Sequence, residues 1–121
     1  MSEGVKIVIA DDNLEVCELL GEIFKGMGYT VDVVHNGYEL ISYLETNNPG
    51  VIILDLMMPE KSGISILSSL KEIAPFSRII IYTGHHEFEK SIYARTADKF
   101  VLKGAKIKSL IDAVEEFSVK P

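Results

Sequence analysis

Asp11-Asp12, Asp55, Thr83 and Lys103 each follow a short apolar run, namely Val5 to Ala10, Val51 to Leu54, Ile79 to Tyr82 and Phe100 to Leu102. In an open α/β sheet, sites form at the carboxyl ends of the strands, so parallel neighbouring runs would bring these residues to one rim. Carboxylates gathered there repel one another; at an effective dielectric near 20, each pair about 4 Å apart costs roughly 4 kcal/mol. A cation has to sit among them. Carboxylate oxygens without cysteine or an obligatory histidine form a hard ligand set, which suits Mg²⁺ keeping several waters better than zinc. Lys103 adds a fixed positive charge and Thr83 a hydroxyl. Such a set suits the receipt of a phosphoryl group, whose transfer is catalysed mainly by positioning and charge neutralisation. Taken singly, Asp12, Asp55 or Lys103 reads as easily as a helix cap or a solvated loop residue. The weight lies on four strand ends that carry complementary groups. Asp11 or Asp12 is also placed to cap the first helix.

The elements that must position these residues are legible from periodicity. Together with Thr30 to Val34, a weaker and alternating run, the four apolar runs predict five strands. Their unbroken Val/Ile character is that of strands covered on both faces, as in a parallel sheet with helices on each side. Between Asn13 and Met27 the apolar positions Val16, Leu19, Leu20, Ile23, Phe24 and Met27 step by three and four, predicting a helix that Gly28 stops. Leu40, Ile41 and Leu44 mark a second helix, and Ile66, Leu67, Leu70 and Ile73 a third, closed by Pro75. Ile107, Leu110, Ile111, Val114 and Phe117 mark the last. From Glu87 to Ala97 only Phe88, Ile92 and Tyr93 fall at helical spacing, so the helix expected there is shallow and loosely held. Strand and helix alternating with short connections predict an α/β doubly wound domain with right-handed crossovers.

Composition narrows the function classes. The chain has 121 residues, 47% of them hydrophobic and 25% charged, which fits one globular domain spanning residues 1–121. Its 18 acidic against 12 basic residues give a net charge of −6, so neither direct nucleic-acid binding nor adhesion to anionic membrane is expected. The runs Val51 to Leu54 and Ile79 to Tyr82 hold only four residues each, against roughly 20 needed to span a bilayer. A single cysteine, and a Met1–Ala10 stretch without signal-peptide features, make a cytoplasmic location the expectation.

The pair Asp11-Asp12, Asp55 followed by Met58-Pro59 and then Gly63, Thr83-Gly84, and Lys103 resemble the receiver domain of two-component response regulators, over nearly the whole chain. The resemblance implies a flavodoxin-like fold with strand order 2-1-3-4-5 and a signalling switch rather than an enzyme. It makes Asp55 the phosphoacceptor. Asp12, Asp55 and the backbone carbonyl of Met57 would ligate Mg²⁺, with Asp11 contributing through water. Thr83 would hydrogen-bond one phosphoryl oxygen and Lys103 would pair with another, while Phe100 resembles the family's rotating switch aromatic. The implied partners are a histidine kinase or phosphotransfer protein and a downstream output domain or protein. The face of the fourth helix, fifth strand and last helix would carry the output.

Gly84 would leave space above the acceptor for a phosphodonor, and Gly63 sits where the loop after Asp55 must turn into a helix. Gly104 follows Lys103 where the family usually has proline, and Thr96 replaces a common glycine before the last strand. Met57, two residues after Asp55, has an apolar side chain that cannot orient a hydrolytic water, which bears on phosphoryl lifetime. Cys17 reads as packing, and His85 and His86 as a solvated loop with His85 within reach of the site. Asp112, Glu115 and Glu116 read as the wet face of the last helix.

Other classes fit less well. A phosphatase or phosphotransferase of the haloacid dehalogenase type would want an aspartate at Met57. A flavin or nucleotide module would want glycines or hydroxyls where Ala10-Asp11-Asp12-Asn13 presents negative charge. A pure docking module would not need the complete acceptor, metal and lysine set.

Overall fold

Ile7, Val8, Ile9 and Ala10 expose none of their surface, and neither do Val51, Ile52 and Leu54. Such strands must be covered on both faces. The computed structural model describes residues 5–118; residues 1–4 and 119–121, which hold the start of the Met1–Ala10 stretch and both ends of the expected domain, lie outside the described residues. In chain order the elements are β1 (Lys6–Ala10), α1 (Leu14–Gly26), β2 (Thr30–Val34), α2 (Gly37–Leu44), β3 (Val51–Leu54), α3 (Gly63–Ile73) and β4 (Arg78–Thr83). A 3-10 turn (His86–Phe88) then leads into α4 (Ile92–Thr96), β5 (Lys99–Leu102) and α5 (Ile107–Ser118). The strands form one five-stranded sheet in the order β2-β1-β3-β4-β5, and every pairing is parallel.

Alternation along each strand divides the core in two. Ile7, Ile9, Val51, Ile53, Ile80 and Tyr82 face α1 and α5, where they meet Leu20, Phe24, Leu110 and Val114. Val8, Ala10, Ile52, Leu54, Ile79 and Ile81 face the other way, onto Leu40, Ile66, Leu67 and Leu70. Strand runs that looked uniformly apolar are therefore two interleaved faces, each with its own helices. No helix among the described residues is long and apolar enough to cross a membrane.

Several expectations about the helices change. Leu19 is 53% exposed, while Cys17, beside the expected stripe, is buried. At 3.6 residues per turn Leu19 lies about 100° round from Leu20, at the margin of the stripe, whereas Cys17 lies about 60° away on the core side. The α1 cap is neither aspartate but Asn13, whose side chain accepts from the Val16 amide at 3.1 Å. Gly28 has φ +97° just beyond the end of α1, consistent with its stopping role. The expected helix between Glu87 and Ala97 breaks into the 3-10 turn and the short α4, with Ser91 capping the latter through the Ala94 amide. Phe88, Tyr93 and Ala97 pack inward there, the two rings edge to face at 5.9 Å, while Ile92 is 65% exposed.

Candidate functional site

Strand register sets the site. Ala10 lies opposite Leu54 in the β1/β3 pair, so the next residues, Asp11 and Asp55, emerge side by side, and the Asp55 amide donates to the Ala10 carbonyl at 2.9 Å. Thr83 lies opposite Leu102, and the Lys103 amide extends that ladder to the Thr83 carbonyl at 2.9 Å. Carboxylate oxygens of Asp11, Asp12 and Asp55 all fall within 4.8 Å of one another, Asp12 exposed and the other two buried. Their chemistry and spacing fit a hard divalent cation held partly by water. The residues expected at the rim are thus brought together.

Lys103 is the internal counter-charge. Its Nζ stands 2.8 Å from Asp11 Oδ2 and 3.1 Å from Asp55 Oδ2, so it bridges both buried acids. Sequence reasoning set Lys103 opposite the acceptor but missed its shorter bond to Asp11. Burial works against the Lys103 charge, yet the bonds and charges of Asp11 and Asp55 outweigh it and its pKa is raised. Asp11 is only 2% exposed; burial pushes its pKa up, the Lys103 bond and the Asn13 amide pull it back, and the Asp55 charge adds to the rise. The second oxygen of each acid is also engaged: Asp11 Oδ1 accepts from the Asn13 amide at 2.9 Å and Asp55 Oδ1 from the Met57 amide at 3.2 Å. Among the described residues, no buried side-chain nitrogen or oxygen lacks a partner.

Cys17 does more than fill space. Its thiol donates to the Asp11 carbonyl at 3.3 Å, and burial, with Asp11 nearby, raises its pKa to about 11. It is a protonated donor under the site and a poor nucleophile. Its position six residues after Asp11, on the core side of α1, was the available signal. Below Lys103 lies the ring of Tyr82, with Nζ 5.9 Å from its centre.

Thr83 is fully buried, and its Oγ1 accepts from the His85 amide at 3.3 Å. Alternation puts Thr83 on the face of Ile79 and Ile81, and the half-buried Phe100, like Phe88 and Tyr93, packs against the core of that face. The His85 side chain turns instead to Glu87, 3.4 Å away, and to the Phe88 ring. Gly63 is required for a different reason than a turn: a Cβ there would be driven into the Asp55 carbonyl oxygen. At Gly84 a Cβ would meet no protein atom within 4 Å, so open space lies over it. The Lys103–Gly104 peptide is trans, as is every other described peptide.

A family model described as the response regulator receiver domain matches residues 7–115. The DNA-binding transcriptional regulator NtrC of Salmonella typhimurium is 26% identical over 117 residues, which make up 95% of this chain and 25% of that protein. The chain thus spans about a quarter of the length of that relative. Sporulation initiation phosphotransferase F of Bacillus subtilis is 33% identical over 84 residues, 69% of this chain and 68% of that protein. Among solved structures, the response regulator TrrA of Thermotoga maritima in complex with Mg²⁺-BeF matches with a TM-score of 0.87 at 26% identity, covering 93% of this chain and 98% of that one. The same regulator solved in complex with the histidine kinase ThkA matches with a TM-score of 0.84 at 26% identity, covering 93% and 97%. Register, acid cluster, lysine and these matches converge: the chain belongs to the receiver domains of response regulators, phosphorylation-dependent signalling switches with the flavodoxin-like fold.

Proposed function

We propose that Asp55 is the phosphoacceptor, taking a phosphoryl group from the phosphohistidine of a histidine kinase or phosphotransfer protein. The observation that carries this reading is the convergence of Asp11, Asp12 and Asp55 oxygens within 4.8 Å, with the Lys103 ammonium 3.1 Å from Asp55. An Asp55 carboxylate oxygen bonds to phosphorus as the phosphorus–nitrogen bond to the donor imidazole breaks, and the electron pair leaves with the imidazole. Asp12, Asp55 and the Met57 carbonyl would hold Mg²⁺, and Asp11 would reach it through water. When bound, that ion neutralises charge gathering on the phosphoryl oxygens. Lys103, already between Asp11 and Asp55, would turn to one phosphoryl oxygen and the Thr83 hydroxyl would bond another. TrrA, solved both with Mg²⁺-BeF and with a histidine kinase, supports the metal and the class of partner.

The output follows from what yields most easily. Residues of the 3-10 turn and of α4 include none that are buried, so this segment has the lowest local stability among the helices. Drawing Thr83 toward a phosphoryl group vacates space on the face where Phe100 packs, which couples β4 and β5 to α4. A downstream output domain or protein reads the face of α4, β5 and α5. Residues 1–121 act as one receiver unit, in the cytoplasm. Hydrogen exchange with Mg²⁺ and a beryllofluoride phosphate mimic tests the relay. Protection changes should reach residues 84–103; changes confined to the loops after Asp12 and Asp55 would refute it.

A further inference from the structure

The connection between β3 and α3 carries Met57, and it is fixed at both ends by the acceptor itself. At its start the Met57 amide bonds Asp55, and at its end Gly63 packs against the Asp55 main chain while the Ile64 amide donates to the Leu56 carbonyl at 3.3 Å. Between these points the chain makes a tight γ-turn. The Lys61 amide donates to the Pro59 carbonyl at 2.7 Å, and the residue between them, Glu60, has φ +63°. This conformation is strained for a side-chain-bearing residue and persists only where the surroundings fix it.

What fixes it comes from another element. The Gly37 amide, in the first turn of α2, donates to the Lys61 carbonyl at 2.7 Å. First-turn amides of a helix have no partner within the helix, and this one is committed to the loop. The approach leaves no room for a side chain: a Cβ at position 37 would lie 2.5 Å from Lys61 Cγ and 2.7 Å from the Lys61 carbonyl oxygen. The Lys61 ammonium then closes over the neighbouring Tyr38 ring, 5.8 Å from its centre. The β2–α2 junction that presents Gly37 also touches the acidic rim, because the Asp11 amide donates to the Val34 carbonyl at 3.0 Å.

We propose that Gly37 is a positioning residue for the acidic site, latching the β3–α3 loop through Lys61 so that Met57 stays registered against Asp55 and Asp12. The proposal rests on the reading of Met57 as a metal-ligating residue, and it extends the site's support to α2, an element none of the site residues belongs to.

The test compares the full chain with Gly37→Ala, with Lys61→Ala as a milder variant that keeps the glycine, and with Val114→Ala as a control. Val114 lies in the core on the opposite face of the sheet. Amide exchange at residues 57, 58, 60 and 61 is followed without metal, and Mg²⁺ affinity by calorimetric titration. Gly37→Ala should speed exchange at those amides and weaken Mg²⁺ binding about tenfold, the scale of losing a group that orients a metal ligand. Lys61→Ala should move both readouts the same way by less, and Val114→Ala should leave both unchanged at temperatures where it is folded. Should Gly37→Ala fail to fold, the parent decides, since Lys61→Ala keeps the carbonyl that Gly37 bonds: the Gly37 amide should be protected and exchange in step with residues 60 and 61, and free exchange of it would overturn the latch. Unchanged exchange in Gly37→Ala overturns the latch; faster exchange there with parental Mg²⁺ affinity overturns its role in positioning. A parent that binds no Mg²⁺ refutes the metal reading and the functional half of the proposal, while the exchange arm still decides whether Gly37 holds the loop.

Discussion

Replacing Lys103 with methionine keeps most of the apolar stem and removes only the charge that bridges Asp11 and Asp55. Two buried carboxylates are then left facing one another. At an effective dielectric near 20, two unit charges 4.8 Å apart, the outer limit for these oxygens, repel by roughly 3.5 kcal/mol. The protein can escape that repulsion by letting one carboxyl take up a proton, which costs about 4 kcal/mol at pH 7 for an ordinary aspartate, at 1.36 kcal/mol per pH unit. That repulsion is a minimum, and burial already raises the Asp11 pKa, so Asp11 is the acid that yields and its proton uptake caps the cost: Lys103→Met should lose about 3–4 kcal/mol at pH 7, within the range for breaking a buried pair. At pH 5 proton uptake costs only about 1.5 kcal/mol, and the loss should shrink to that value. Lysine itself does not titrate in this window. Its folded pKa is raised, so its contribution is complete below the ordinary lysine value and is lost only as pH climbs through the higher folded one. Urea melts without metal supply the assay. With a slope of roughly 2 kcal/mol per molar, the midpoint should fall by about 1.5–2 M at pH 7 and by less than about 1 M at pH 5. Mg²⁺ should stabilise the variant, and do so more than it stabilises the parent. An equal deficit at both pH values, or one below about 1 kcal/mol at pH 7, would refute the reasoning.

Gly63→Ala should cost about 3 kcal/mol, at the upper end for overpacking, because the obstacle is the Asp55 main chain; thermal melts check it, and the same substitution at Gly84 should be nearly neutral. Asp98 lies between three partners: it accepts from the Ile79 amide at 2.8 Å and pairs with Lys71 at 3.1 Å and Arg78 at 3.6 Å. Burial opposes its charge, but these partners outweigh burial and hold its pKa down, so its contribution is present above an ordinary aspartate pKa of about 3.9 and lost as pH falls through the lower folded value. Asp98→Ala should therefore lose about 2 kcal/mol at pH 7 in denaturant melts, with the gap from the parent closing below about pH 4.

Much of this was legible because a strand buried on both faces writes an unbroken Val/Ile run, and the residue after each run is the one delivered to the rim. Asp11, Asp12, Asp55, Thr83 and Lys103 were found that way, and the parallel register of Ala10 with Leu54 and of Thr83 with Leu102 brings them together. What stayed hidden depends on distances that no periodicity encodes. That Lys103 bonds Asp11 at 2.8 Å as well as Asp55 follows from side-chain reach across two strand ends. Gly63 looked like a turn glycine, yet the contact that forbids a side chain is with a carbonyl eight residues earlier. Leu19 read as core because a spacing of three and four tolerates a residue at the stripe's margin, and neighbouring packing decides which side it takes. The segment between Glu87 and Ala97 had too few apolar positions to hold one helix, and its break at Ser91 is a capping event rather than a hydrophobic one.

The most direct measurement is the intact mass of the protein after incubation with acetyl phosphate, with Mg²⁺ or with excess chelator, in the parent and in Asp55→Asn. One added phosphoryl group is expected in the parent with Mg²⁺, located by fragmentation on Asp55, and none with chelator or in the variant. Undiminished labelling of Asp55→Asn, or equal labelling without divalent metal, would contradict the assignment of Asp55 and of the acid cluster around it.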